Sequence, residues 1–282
     1  LRSDVTPAIL DPATLAARLD EAQLRVVDCR YRLEEPAAGR QAWLEAHVPG
    51  AVYADLKEDL SAPPAASGCR HPLPAAAAMA ALFARLGIGA HTHVVAYDAS
   101  GGALAAARLW WMLRYLGHEA VSVLDGGWQA WQDAGLPTRG GAETVAPADF
   151  AGRPMARLRL DLERLADSPL LVDSRSAERY RGRPYPLDAR HGHIPGAVNR
   201  CWQTNLGADG RFKPPALLRA ELQQLLGGVP AAEAVFYCGS GVTACHNLLA
   251  AVHAGLEQPR LYPGSWSEWC ADATRPVATA SS

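Results

Sequence analysis

Cys238-Gly239-Ser240-Gly241-Val242-Thr243-Ala244 follows the apolar run Ala234-Val235-Phe236-Tyr237 and leads into an Ala- and Leu-rich stretch that extends through Leu249. A strand that ends in cysteine, turns through glycines and opens a helix surrounds the sulfur with backbone N–H groups, a setting that favours a thiolate. Cys238 is therefore the candidate nucleophile. A thiolate attacks sulfur well, and the persulfide that results is an anion that the amides of Gly239, Ser240, Gly241, Val242 and Thr243 can hold. The competing accounts are a buried structural cysteine in a plain glycine turn and a cysteine phosphatase. The phosphatase needs a guanidinium six residues after the cysteine to clamp a phosphoryl group, and that position is Ala244.

Such a loop requires a sheet behind it and a helix after it. Short β-branched runs (residues 25–28, 93–97 and 120–124) alternate with Ala- and Leu-rich stretches (74–86 and 104–116), the pattern of a parallel sheet covered by helices. Ligands of such sheets meet the carboxyl ends of the strands, where Asp98 and Cys238 both fall. The chain also repeats itself in order. Val26-Val27-Asp28-Cys29-Arg30 returns as Leu171-Val172-Asp173-Ser174-Arg175, and His47-Val48-Pro49-Gly50-Ala51 as His193-Ile194-Pro195-Gly196-Ala197. The segment Val94–Gly101 returns as Ala234–Gly241, and Gly126-Gly127-Trp128 as Gly264-Ser265-Trp266. A period of about 140 residues means two copies of a whole domain, because solenoid periods are roughly 20–50 residues. The expectation is two α/β domains, 1–140 and 157–282, joined by a linker at 141–156 where Gly140-Gly141 and Pro147 interrupt the pattern.

In the paired Asp-x-Arg, the paired His-(Ile/Val)-Pro-Gly-Ala and the six-residue cysteine loop, nearly the whole chain resembles the tandem-domain rhodanese family of sulfurtransferases. The resemblance implies two rhodanese-like domains, the first catalytically silent and the second carrying the cysteine, which agrees with Asp98 standing where a nucleophile would be. It implies a double-displacement cycle through a Cys238 persulfide, with no metal, nucleotide or organic cofactor.

Within the family, thiosulfate enzymes resemble one another in cationic side chains two residues after the cysteine, whereas this chain has Ser240. The loop is similar to that of 3-mercaptopyruvate sulfurtransferases, whose donor carries a single carboxylate. Attack on its sulfur leaves an enolate that needs a proton, and Ser240 oriented by His71 is the implied source. His71 lies in Cys69-Arg70-His71-Pro72-Leu73-Pro74, which resembles the family's histidine loop; its acid partner is Glu58 or Asp59, with Lys57 at one aligned position. Arg179 matches the family's substrate-binding arginine, a guanidinium suited to a carboxylate. Asp188 falls at the ungapped position of a second arginine, for which Arg183 and Arg190 are the substitutes the sequence offers. Thiosulfate as donor, and a persulfide carrier serving a protein partner, are the alternatives.

The remaining conspicuous residues read as structural. Trp110, Trp111, Met112 and Tyr115 form a helix face against the sheet. Asp28 and Asp173 hold local ion pairs, and His47 and His193 orient turns. Cys245 lies two helical turns beyond Cys238, out of easy disulfide reach. The six cysteines include no C-x-x-C pair, which argues against a zinc site or disulfide framework. A formal net charge of −2 carries no nucleic-acid-type basic excess, so an anionic ligand needs a local cationic pocket. The start of the chain lacks a basic stretch followed by an apolar core, and the run from Ala75 to Ala84 is too short to span a bilayer. The expected partners are a small sulfur donor and a thiol acceptor, a thioredoxin-like protein among the candidates. The expected setting is the cytoplasm, without nucleic acid or membrane.

Overall fold

The β-branched runs around Val26, Val95 and Val123 become the three inner strands of a parallel sheet in the computed structural model, which describes residues 6–64 and 67–279. In chain order the first half forms β1 (Ile9–Leu10), α1 (Pro12–Ala16), β2 (Leu24–Asp28), α2 (Ala37–Glu45), β3 (Val52–Tyr53), α3 (Ala76–Arg85), β4 (His93–Tyr97), α4 (Ala105–Tyr115), β5 (Val121–Leu124) and α5 (Gly127–Asp133). The strands order as β1-β5-β4-β2-β3, with Val26 beside Val95 and Ala96 beside Val123. Helix α4 is buried on nearly every side. Its small first turn, Ala105-Ala106-Ala107, lets the backbone approach the sheet, and Trp110, Trp111 and Met112 are fully enclosed. Burying each such side chain contributes about 1.5–3 kcal/mol.

The second half forms β6 (Leu171–Asp173), α6 (Ala177–Arg181), β7 (Val198–Asn199), α7 (Pro215–Leu226), β8 (Val235–Tyr237), α8 (Ala244–His253), β9 (Arg260–Leu261) and α9 (Ser265–Ala271). Its sheet is again parallel, ordered β7-β6-β8-β9, with Val172 paired to Val198 on one side and Phe236 on the other. Sequence dictates α7 plainly: proline opens it, Leu218, Leu222 and Leu226 recur every fourth residue on its buried face, and Gly227 closes it in the left-handed region. Val235, Tyr237, Tyr262 and Trp266 anchor the core of this half.

Two units emerge, each with its own sheet and core. The first comprises the described residues up to Leu60, Pro74–Met155 and Ala208–Phe212; the second comprises Ser61–Leu73, Ala156–Gly207 and the described residues from Lys213 onward. The described residues of segment 61–73, inside the domain expected at 1–140, thus pack with the unit that holds Cys238, because residues 69 and 70 are fastened there as described below. Among the described residues no helix is long and apolar enough to cross a membrane.

Candidate active site

Strand β8 ends at Tyr237 and α8 begins at Ala244, so the residues between them form a bowl at the carboxyl edge of the sheet. Cys238 lies in it, 1% exposed. Its own N–H donates to Ser265 Oγ at 3.1 Å, and its carbonyl accepts the Trp266 N–H at 3.0 Å. Ser265 pays for this role with a left-handed backbone (φ 54°), rare for a residue with a side chain. Gly241 also has positive φ (74°), and a Cβ there would sit 2.3 Å from the Pro263 carbonyl oxygen. Burial opposes ionisation of the Cys238 thiol. The Thr243 hydroxyl and the N–H groups of Ser240, Ala244 and Val242 outweigh it, so the thiol sits below its ordinary value. Two of the expected amides, Ser240 and Val242, thus point at sulfur, and Ala244 adds one from the first turn of α8. Cys245 is buried in the following turn with its sulfur 3.5 Å from the Gly241 carbonyl oxygen.

Ser240 Oγ lies 2.8 Å from His71 Nδ1, and both residues are buried. The histidine loop is fastened to the stretch that also holds the nucleophile: Arg70 N–H donates to Ser267 Oγ at 3.2 Å, and Cys69 Sγ approaches the Pro263 carbonyl oxygen at 3.9 Å. Residues 263–267 therefore position Cys238 and the Arg70-His71 pair together. Glu58 is exposed, with its N–H donated to Asp55 Oδ1. Asp59 accepts the Asp55 N–H at 2.8 Å and an ion pair from Arg85.

Two guanidiniums cover Gly239. A Cβ at that glycine would meet Arg70 Nη2 at 2.6 Å and Arg179 Nη2 at 3.0 Å, so the missing side chain is what admits them. Arg179 gives its Nε and Nη2 edge to Asp188 at 2.9 and 2.7 Å and rests on the Tyr185 ring, 4.0 Å from its centroid. Asp188, its side chain 3% exposed, also faces Arg70 Nη1 at 3.6 Å and Arg175 Nη1 at 3.4 Å. Of the three arginines expected at the donor site, the fold brings Arg179 to the loop. Arg183 is exposed after α6, and Arg190 donates to the carbonyls of Asp272 and Arg275 at 3.1 and 2.8 Å. The second guanidinium beside Gly239 belongs to Arg70, and nothing in its loop sequence signals that: only the fold carries residue 70 to residue 239. Ser265 was visible only as part of a repeated tripeptide.

The residues read as structural do brace the site. Asp173 accepts the Nε and Nη2 edge of Arg175 on both carboxylate oxygens, with contacts from 2.6 to 3.1 Å, and Arg175 stacks 4.6 Å from the Trp266 ring centroid. In the first unit Asp28 holds Arg30 in the same way, and Arg30 stacks 4.3 Å from the Trp128 ring centroid. His47 and His193 each place Nδ1 2.7 Å from a carbonyl oxygen, of Trp43 and Tyr180 respectively.

The first unit's loop contains an anion of its own. Asp98 stands after β4 as Cys238 stands after β8, and its carbonyl accepts the Trp128 N–H at 2.9 Å. Its carboxylate accepts the N–H groups of Ser100 and Gly102 on one oxygen and of Leu104 and Ala106 on the other, at 2.8–3.2 Å. Burial outweighs the four amides, so the Asp98 carboxyl sits above its ordinary value. The Asp98 carboxylate takes up all four of these N–H groups.

Among the described residues no group of three or more His, Cys, Asp or Glu side chains is arranged to hold a metal ion. Residues 11–134 and 159–272 each match the family model of the rhodanese-like domain. A Pseudomonas aeruginosa protein named a probable 3-mercaptopyruvate sulfurtransferase is 48% identical over 279 residues, covering 96% of this chain and 98% of its own. A Gallus gallus protein named thiosulfate sulfurtransferase is 36% identical over 280 residues, covering 95% of this chain and 93% of its own. Among solved structures, the 3-mercaptopyruvate sulfurtransferase from Leishmania major superimposes with a TM-score of 0.85 at 34% identity, over 93% of this chain and 74% of that one.

Proposed function

Because this chain belongs to the rhodanese family, we propose that it is a 3-mercaptopyruvate sulfurtransferase that carries sulfane sulfur on Cys238 to a thiol or cyanide. The observation that supports this donor best is the 2.8 Å contact of Ser240 with His71 beside a cysteine whose loop stabilises its anion. Arg179 and Arg70 hold the donor's carboxylate over Gly239. The Cys238 thiolate attacks the donor's sulfur; an S–S bond forms, the C–S bond breaks, and its electron pair leaves with the three-carbon fragment as the enolate of pyruvate. The Ser240 hydroxyl protonates that enolate and is reprotonated through His71. The loop amides hold the persulfide until an acceptor thiolate attacks its outer sulfur and returns Cys238 as thiolate. Sulfur moves with its electrons accounted for by the two substrates alone. The acceptor is a small thiol or a thioredoxin-like protein, and the cytoplasm, where thiols stay reduced, suits it.

Thiosulfate as preferred donor is the second reading, favoured by the pair of guanidiniums over the loop. The deciding measurement is pyruvate release from 3-mercaptopyruvate by wild type and Cys238→Ser, with intact mass recorded before acceptor is added. Wild type is expected to release pyruvate and to gain the mass of one sulfur atom, and Cys238→Ser to do neither. A wild-type protein that releases no pyruvate, or a serine variant that still turns over, overturns the assignment.

A further inference from the structure

A single buried carboxylate meets three guanidiniums above the cysteine loop. Arg175 already has its own counter-ion in Asp173, at 2.6 Å. Asp188 is therefore left to Arg179 and Arg70, which lie 2.7 and 3.6 Å from its Oδ1. Two cations and one anion leave one positive charge unbalanced beside Gly239. Arg179 gives Asp188 its Nε and Nη2 edge, and its Nη1 has no partner among the described residues. Arg70 Nε is buried and likewise lacks a hydrogen-bond partner among them. Donor capacity is thus available, but the net charge it carries is matched to a donor with one carboxylate rather than to a dianion.

We infer that Asp188 is a specificity-determining positioning residue: it aligns the Arg70 and Arg179 guanidiniums and lowers the charge of the donor pocket, so that a monoanionic donor is taken in preference to a dianionic one. The inference rests on the sulfurtransferase reading above and deepens it. Asp188 occupies a place where the family resemblance anticipates a cation, and a guanidinium reaches Gly239 from another segment, on Arg70. Interaction with a fixed charge doubles when the ligand charge doubles, so any change at this carboxylate acts more strongly on thiosulfate than on 3-mercaptopyruvate.

The test is the ratio of kcat/KM for thiosulfate to kcat/KM for 3-mercaptopyruvate in wild type, Asp188→Asn, Asp188→Glu and Arg70→Gln. Asp188→Asn is expected to raise the ratio about tenfold, equivalent to about 1.4 kcal/mol. Asp188→Glu, which restores the charge, keeps the wild-type ratio, and Arg70→Gln, which removes a cation, lowers it. Ratio shifts of opposite sign are not produced by general damage to the site. A parallel loss on both donors in Asp188→Asn, or the same shift in Asp188→Glu, overturns the inference. If Asp188→Asn does not fold, Arg70→Gln decides: an unchanged or raised ratio overturns it. Calorimetric binding of sulfate and of pyruvate to Cys238→Ser, with and without Asp188→Asn, reads the same charge effect without sulfur chemistry. Sulfate tightening about tenfold relative to pyruvate supports the inference even if wild type fails to release pyruvate and the activity assignment falls; no relative change overturns it.

Discussion

At the scale of the residue, Cys238 is a buried thiol made acidic by neighbours rather than by exposure. Desolvation alone would hold it protonated, so the hydroxyl of Thr243 and the amides facing it decide its state. Thr243→Val removes one donor to the thiolate. Losing a hydrogen bond to a charged group costs about 1.5–3 kcal/mol, enough for a loss of about tenfold or more in sulfur loading at neutral pH. The sign follows: a less stabilised anion raises the thiol pKa, so the rising limb of the pH–rate profile moves to higher pH and activity recovers on alkalinisation. A pH–rate profile of the loading half-reaction checks this, and an equal loss at every pH would count against it. Cys238 was legible in the sequence because a strand, a cysteine and spaced glycines are all local. Arg70 was not, because its neighbours read as an ordinary proline-containing loop and its meeting with Arg179 depends on contacts between distant segments.

Elements set what those residues can reach. The two glycines of the loop serve different ends, and alanine substitutions separate them. Gly241→Ala places a side chain in the left-handed region and against the Pro263 carbonyl oxygen, a backbone atom that cannot step aside. The expected cost is about 2 kcal/mol or more, seen as a lowered melting temperature together with lost turnover. Gly239→Ala meets only the far ends of Arg70 and Arg179, which can swing away. Stability then changes little, while KM for 3-mercaptopyruvate rises. Thermal melts beside steady-state kinetics distinguish the two, and equal destabilisation would contradict the geometry. Periodicity gave the elements well where they are long: α3, α4, β4 and β5 fall within two residues of the runs that anticipated them. Shorter pieces such as β3, β7 and β9, two residues each, carry too little pattern to be read and are fixed instead by their pairing with neighbours.

At the scale of the molecule, one architecture has been used twice with a single decisive exchange. Both copies keep the Asp-Arg brace, the histidine turn and the stacked tryptophan. Repetition made the two-copy organisation plain from sequence. It did not reveal that segment 61–73 belongs with the second unit, since that depends on bonds to residues 263–267. The first copy's Asp98 is expected to matter for folding alone. Asp98→Ala leaves four amides without their acceptor and should cost about 3 kcal/mol, read as reduced thermal stability with sulfur loading still limited to one atom per folded chain. A second sulfur atom in that variant, or undiminished stability, would show the carboxylate has another task. The consequence is a division that abundance and activity would separate in a saturation screen. Substitutions at Asp98 would deplete the protein from the cell, whereas substitutions at Cys238 would leave it plentiful and inert. Those two outcomes together would make the duplicated cradle a fixed keystone in one copy and a replaceable cargo berth in the other.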